Sequence, residues 1–335
     1  MGRGRFAAAL ACASIALGAC FVPYSGEDEI RAIERTDPHE PSPEDGAIAD
    51  GGTTVDPPET DAESPIDAAK DAPPPRCDRS KPFGAPVFVD SVNSADFDAD
   101  ARLTADEKTL YFTSERGTVA PSKRHRMWTA TRVGEAFEFS NLTLAFDYVN
   151  AEVYDPTVSP DGLTLVVQHT ATGTGSANLE TATRLSTGAA FGPFAAIPAL
   201  DAPAATERDP YFAADGSLLF TQDGKIMRAR RSGTVWTAAI APETSALSSV
   251  RNPVMSADGR EIFFSSDAGT PGKLRIHRAA RASTTAKFGA ASPVKELGGT
   301  NAYEAPTWLS ADGCHLLLTS ARGGGLDVYY AIRGK

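Results

Sequence analysis

Acidic side chains that recur at one register are the first residues in this sequence with chemical potential. Asp100, Glu152, Asp155, Glu207, Asp209, Asn252 and Glu304 come round about once every fifty residues, each just before or within a run suited to a strand. Carboxylates converging from such positions would suit a hard cation, which takes several oxygen ligands, or a basic group of a partner. They would equally suit pairing with arginines that recur in phase, as Asp100 with Arg116 and Glu304 with Arg322. A role needed once per repeat is ordinarily structural, so repetition favours pairing. Glycosidases use two inner carboxylates, and on that reading the candidates are Glu152, Glu207 and Glu304. The histidines, His39, His125, His169, His277 and His315, show no metal-ligand spacing and no Ser or Cys motif beside them. The expectation is therefore no catalytic residue, no metal and no cofactor.

The elements that would position these acids occupy only part of the 335 residues. Residues 1–19 read as an export signal, with Arg3 and Arg5 before an Ala-rich apolar stretch too short to span a bilayer. It ends in Leu17-Gly18-Ala19-Cys20, which resembles the bacterial lipobox and implies acylation of Cys20. More than one acyl chain anchors stably, and Phe21 in place of a retention Asp implies the outer membrane. Residues 20–80 follow as an acidic, Pro-rich tether. From Phe21 to Ser80 there are 16 Asp or Glu against 5 Lys or Arg, with 10 of the 24 prolines. Such a segment gathers too little apolar surface to offset ordering entropy. The whole chain carries −11, but residues 81–335 carry only −2. A near-neutral domain lacks the clustered basic face that nucleic acid requires.

Residues 81–335 are built from one repeat. A turn signal recurs as Thr104-Ala105-Asp106-Glu107, Ser159-Pro160-Asp161-Gly162, Ala213-Ala214-Asp215-Gly216, Ser256-Ala257-Asp258-Gly259 and Ser310-Ala311-Asp312-Gly313. A strand-forming run follows each. Two further marks keep the same phase. A strand ends in Ala-x-Arg at Arg132, Arg184, Arg231, Arg281 and Arg333, and an aromatic follows at Phe137, Phe191, Trp236 and Phe288. The fifth aromatic, Phe83, stands before the first repeat instead of after the last. With strands named A to D in each repeat, the chain reads D, four times A-B-C-D, then A-B-C. The predicted fold is all-β: a five-bladed propeller in which the strand near Phe83 joins the last blade. Closure of this kind removes the exposed sheet edges.

These turn and strand motifs resemble the WD40-like repeat (PD40) of the TolB propeller family over about residues 83–335. That resemblance implies a fold and says little about activity. Blade 1 departs most, with Glu107 for Gly and Ala101 for the Pro found at 156, 210, 253 and 306.

With Cys12 in the leader and Cys20 acylated, Cys77 and Cys314 are the two thiols left. Both should lie at the turn end of the last blade, one before its D strand and one before its B strand, so a disulfide stapling the ring is expected. The functional expectation is a non-enzymatic binding or scaffolding module of the cell envelope. It would hold the membrane by its lipid and present a loop face to a protein or glycan, with Asp100, Glu152, Asp155, Glu207, Asp209, Asn252 and Glu304 on the channel rim. The alternative is a carbohydrate-active or hydrolytic enzyme using inner-channel carboxylates.

Overall fold

The computed structural model describes residues 76–334 apart from 119–122, 149–150, 172–176, 203–204, 241–243, 245–246, 248, 270 and 300–302. The expectations for the leader, for Cys20 and for most of the tether lie outside the described residues.

Five four-stranded antiparallel sheets form the five blades. Blade 1 is β2 (Asp98–Leu103), β3 (Thr109–Ser114), β4 (Arg126–Arg132) and β5 (Phe139–Phe146). Blade 2 is β6 (Ala151–Val158), β7 (Thr164–Ala171), β8 (Ala177–Thr183) and β9 (Ala195–Ala196). Blade 3 is β10 (Glu207–Phe212), β11 (Leu218–Gln222), β12 (Lys225–Ser232) and β13 (Val235–Ile240). Blade 4 is β14 (Val250–Met255), β15 (Glu261–Ser266), β16 (Arg275–Ala280) and β17 (Ser292–Pro293). Blade 5 joins β18 (Glu304–Leu309), β19 (His315–Ser320) and β20 (Asp327–Ile332) to β1 (Val87–Phe88), with Val87 opposite Tyr330 and Phe88 opposite Tyr329. The innermost strands touch in the cyclic order β2, β6, β10, β14, β18 and back to β2. The displaced first strand closes the ring as expected.

The repeated turn is a hydrogen-bonded unit. In Ser159-Pro160-Asp161-Gly162 the Gly162 amide donates to the Ser159 carbonyl at 2.8 Å, and the Thr164 amide to Ser159 Oγ at 2.9 Å. Gly162 sits at φ +74°, where a side chain is strained. Blade 1 places Glu107 at the same left-handed position, φ 57°. That departure has a purpose: Glu107 accepts from Arg76 at 2.9 Å and from Arg132 at 2.7 Å, a contact that glycine could not make.

The Ala-x-Arg strand ending and the aromatic after it prove to be one interaction. The alanines Ala130, Ala182, Ala229, Ala279 and Ala331 are buried, leaving room for packing between sheets. The arginine two residues on shares that face and lies over the aromatic. Arg132 is 4.6 Å from the Phe137 centroid, Arg184 4.4 Å from Phe191, Arg231 5.9 Å from Trp236, Arg281 4.5 Å from Phe288 and Arg333 4.6 Å from Phe83. The fifth pair, Arg333 with Phe83, spans the two ends of the described chain.

The ring is stapled where blade 5 meets the N-terminal strand. Cys77 and Cys314 form a disulfide with Cα atoms 5.5 Å apart. Around it, Arg76 reaches Asp312 at 2.6 Å and Glu107 at 2.9 Å, and Arg79 reaches Asp258 at 2.8 Å and Glu261 at 2.7 Å. One short segment thus holds blades 4, 5 and 1 together.

Candidate active site

The innermost strand of each blade carries a β-bulge, and the bulge explains why acids recur there. Strands β2, β6, β10 and β14 shift register between Ala99 and Arg102, Tyr154 and Thr157, Arg208 and Tyr211, and Arg251 and Val254. The first bulged residue is Asp100, Asp155, Asp209 or Asn252, each with φ between 51° and 55°. Asp and Asn tolerate this left-handed region better than other side chains. The fifth blade differs: Pro306 still pairs with Leu318, and the shift comes between Pro306 and Trp308. Proline cannot take positive φ. Pro306 therefore stands in register with the bulged acids and not with Pro156, Pro210 and Pro253, which corrects the sequence alignment of that blade.

The four bulged residues meet near the axis. Asp100, Asp155, Asp209 and Asn252 are 5, 4, 1 and 2% exposed. Asn252 Nδ2 spans Asp155 Oδ1 at 3.5 Å and Asp209 Oδ1 at 3.3 Å. The Asp155 amide donates to Asp100 Oδ2 at 3.4 Å. The seat that a bound cation would take is occupied by the chain's own Arg102, whose side chain is 3% exposed. Its Nη2 donates to Asp155 Oδ1 at 2.8 Å, its Nη1 to the carbonyls of Asp155 and Pro210, and its Nε to the Thr307 carbonyl at 3.0 Å. From blade 1, Arg102 thus ties blades 2, 3 and 5. Among the described residues no group of three or more His, Cys, Asp or Glu is arranged to hold a metal ion.

Two of the three carboxylates are shifted by their surroundings. Burial, and then the repulsion of neighbouring Asp100, pushes the Asp155 carboxyl well above the usual carboxylate range. Burial likewise raises Asp100, only partly opposed by Arg102. Each shift moves its carboxyl toward the protonated form. Asp209 is ion-paired with Arg251 at 3.2 Å and accepts from Asn252. Tyr303, half-buried just before β18, lies close enough that burial and then the three carboxylates push its hydroxyl well up.

The other sequence candidates stand apart. Glu152 accepts from the Tyr154 hydroxyl and lies 3.4 Å from His125 Nδ1. Glu207 is fully buried and accepts from Gln222 Nε2 at 2.7 Å. Glu304 is ion-paired with Arg322 at 2.9 Å, the expected partner. Arg116 pairs with Asp98 at 2.6 Å and not with Asp100, because Asp98 is the residue opposite Ser114 at the end of β3. The three glutamates proposed as an enzymatic set therefore do not converge. The aspartates do. Sequence reasoning missed Arg102, Arg251 and Tyr303. The available signal for Arg102 was its register, since the matching positions are Thr157, Tyr211, Val254 and Trp308.

No protein-family model matches the chain, and no curated protein matches it. Solved structures do match its fold. A family 117 glycoside hydrolase produced by the marine bacterium Zobellia galactanivorans is 12% identical, with TM-score 0.52, covering 76% of this chain and 91% of its own. A structure from the GH130 family of mannoside phosphorylases, described as containing glycoside hydrolases that target β-1,2 mannosidic linkages in Candida mannan, is 13% identical at TM-score 0.52, covering 76% and 94%. A glycosyl hydrolase from Bacteroides ovatus is 11% identical at TM-score 0.50, again covering 76% and 94%. The expectation of a non-enzymatic scaffold is corrected at this point. It rested on the want of a catalytic constellation in the sequence, whereas several solved structures that share the fold are described as glycoside hydrolases.

Proposed function

We propose that this protein is a carbohydrate-active hydrolase of the bacterial cell envelope that cleaves glycosidic bonds with Asp100, Asp155 and Asp209. The observation that carries the reading is the axial carboxylate set itself: three buried aspartates from consecutive blades, with Asp100 and Asp155 pushed toward the protonated form although Arg102 reaches Asp155, and Asp209 ion-paired with Arg251. Glycosidic cleavage needs one carboxyl group that still holds a proton at working pH and another that is ionised. The Asp100–Asp155 pair is the proton donor to the leaving-group oxygen. Asp209, held by Arg251 and Asn252, is the carboxylate that acts on the sugar or on water. The substrate class is a glycan, in keeping with the solved propellers of the same fold. The lipobox at Leu17-Gly18-Ala19-Cys20 supports a lipid anchor, the repeat supports the TolB-like reading, and Phe21 supports the outer membrane.

The test is release of reducing ends from a panel of bacterial, plant and fungal glycans by the full chain in detergent micelles. Wild type should release sugar from at least one glycan. Asp155→Asn and Asp209→Asn should each lose at least about a hundredfold in kcat, the scale expected for removing an acid, base or nucleophile, while Glu207→Gln keeps most activity. Absence of hydrolysis across the panel, or full activity in both Asp variants, would reject the proposal.

A further inference from the structure

On the turn side of Arg102 the axis of the ring opens into a cavity of different character. The last residues of the five innermost strands, Leu103, Val158, Phe212, Met255 and Leu309, ring a cavity of about 290 Å³. A second ring of Ala105, Pro160, Ala214, Ala257 and Ala311 surrounds its mouth, one residue from each turn, and all five are exposed. Each blade thus contributes one apolar wall residue and one small rim residue. Had the turns carried bulky side chains, the mouth would be shut.

The charges near this cup are already answered. Arg102 closes its inner end with its guanidinium committed to Asp155 and to three backbone carbonyls. Glu107, at the mouth, is bound by Arg76 and Arg132. Neither invites a counter-ion. Tyr211 and Trp308 add aromatic surface to the wall, each 7% exposed. A largely apolar concavity near the lower end of the usual ligand-site size, with a single polar floor, takes a compact hydrophobic molecule.

We propose that the turn-side end of the channel is a binding site for one uncharged, mainly apolar small molecule of roughly ten to twenty heavy atoms, separate from the aspartate set across Arg102. This proposal does not rest on the hydrolase reading.

The experiment titrates N-phenyl-1-naphthylamine, whose emission rises in apolar surroundings, into the full chain below the detergent's critical micelle concentration. Wild type should give a saturable rise with one site per chain. Ala257→Phe and, separately, Ala311→Phe fill the mouth from exposed positions, so each should weaken binding at least tenfold with an unchanged melting temperature. A non-saturable signal in wild type, or undiminished binding in both folded variants, overturns the site. Light scattering on the same samples gives the other decisive outcome: self-association of wild type that both variants abolish would assign the cup to a second copy of the chain and reject the small molecule.

Discussion

Two sets of carboxylates in this protein respond to pH in opposite directions. Burial raises Asp100 and Asp155, so the folded state holds protons that the unfolded chain gives up from about pH 4. Their contribution to stability is therefore greatest at low pH and declines as pH climbs from that point through their folded values. Asp312 is the reverse. Against the desolvation that raises it, hydrogen bonds from Arg76 and Ser310 hold it well below the usual range, so its contribution is present at neutral pH and lost as the solution becomes strongly acidic. Asp100 has no arginine partner of its own among the described ion pairs, whereas Asp155 and Asp209 do. Asp100→Asn should accordingly raise the melting temperature by a few degrees at pH 7, with the gain shrinking toward zero near pH 3. Asp312→Asn should lower it at pH 7. Differential scanning calorimetry of both variants across this range checks the two signs, and equal slopes would contradict the division. A loss of activity alongside gained stability in Asp100→Asn is the trade-off expected of a strained catalytic group.

In blades 2 and 4, the short outer strand leans on one arginine. Strands β9 and β17 are two residues long, so they offer few ladder bonds. What compensates is the C-strand arginine. Arg281 stacks on Phe288, donates Nε to the Gly259 carbonyl at 2.6 Å and is 7% exposed. Lysine keeps the charge but loses the planar fork. Arg281→Lys should thus cost about 1–2 kcal/mol in denaturant unfolding, and a cost below about 0.3 kcal/mol would show the stack to be incidental. The turn and the three in-phase marks were legible in the sequence because they repeat, and repetition exposes a rule. That the arginine and aromatic marks are one contact was not legible, since strand C and the D-strand aromatic are joined by loops of unequal length. Nor was the pairing of Arg116 with Asp98, which depends on the register between β2 and β3.

At the scale of the whole ring, closure is concentrated in residues 76–88. The disulfide spans 237 residues of sequence, and its chain-entropy contribution is on the order of 3–5 kcal/mol. Cys77→Ser with Cys314→Ser should lower unfolding stability by about that amount, and dithiothreitol should reproduce the loss in wild type while leaving the double variant unchanged. A reductant effect on the double variant would trace the loss elsewhere. Removing residues through Asp90 goes further, since it strips β1 from β20 and Phe83 from Arg333. The exposed strand edge then favours intermolecular pairing, and turbidity on warming should exceed that of the disulfide variant.

Sequence alone determined the all-β class, the five blades, the displaced closing strand and the Cys77–Cys314 bond. The first three follow from local turn chemistry and from the phase of a repeat, and the bond from that phase together with the count of cysteines left outside the leader and lipobox. Only the tertiary structure decided which acids meet. Glu152, Glu207 and Glu304 look equivalent to the aspartates in a linear reading, yet a bulge of one residue in the innermost strand turns Asp100, Asp155 and Asp209 inward and leaves the glutamates with local partners. The place of Arg102 was decided the same way. Its role is to cross the channel, and its carbonyl acceptors come from three other blades, so no neighbour in sequence announces it.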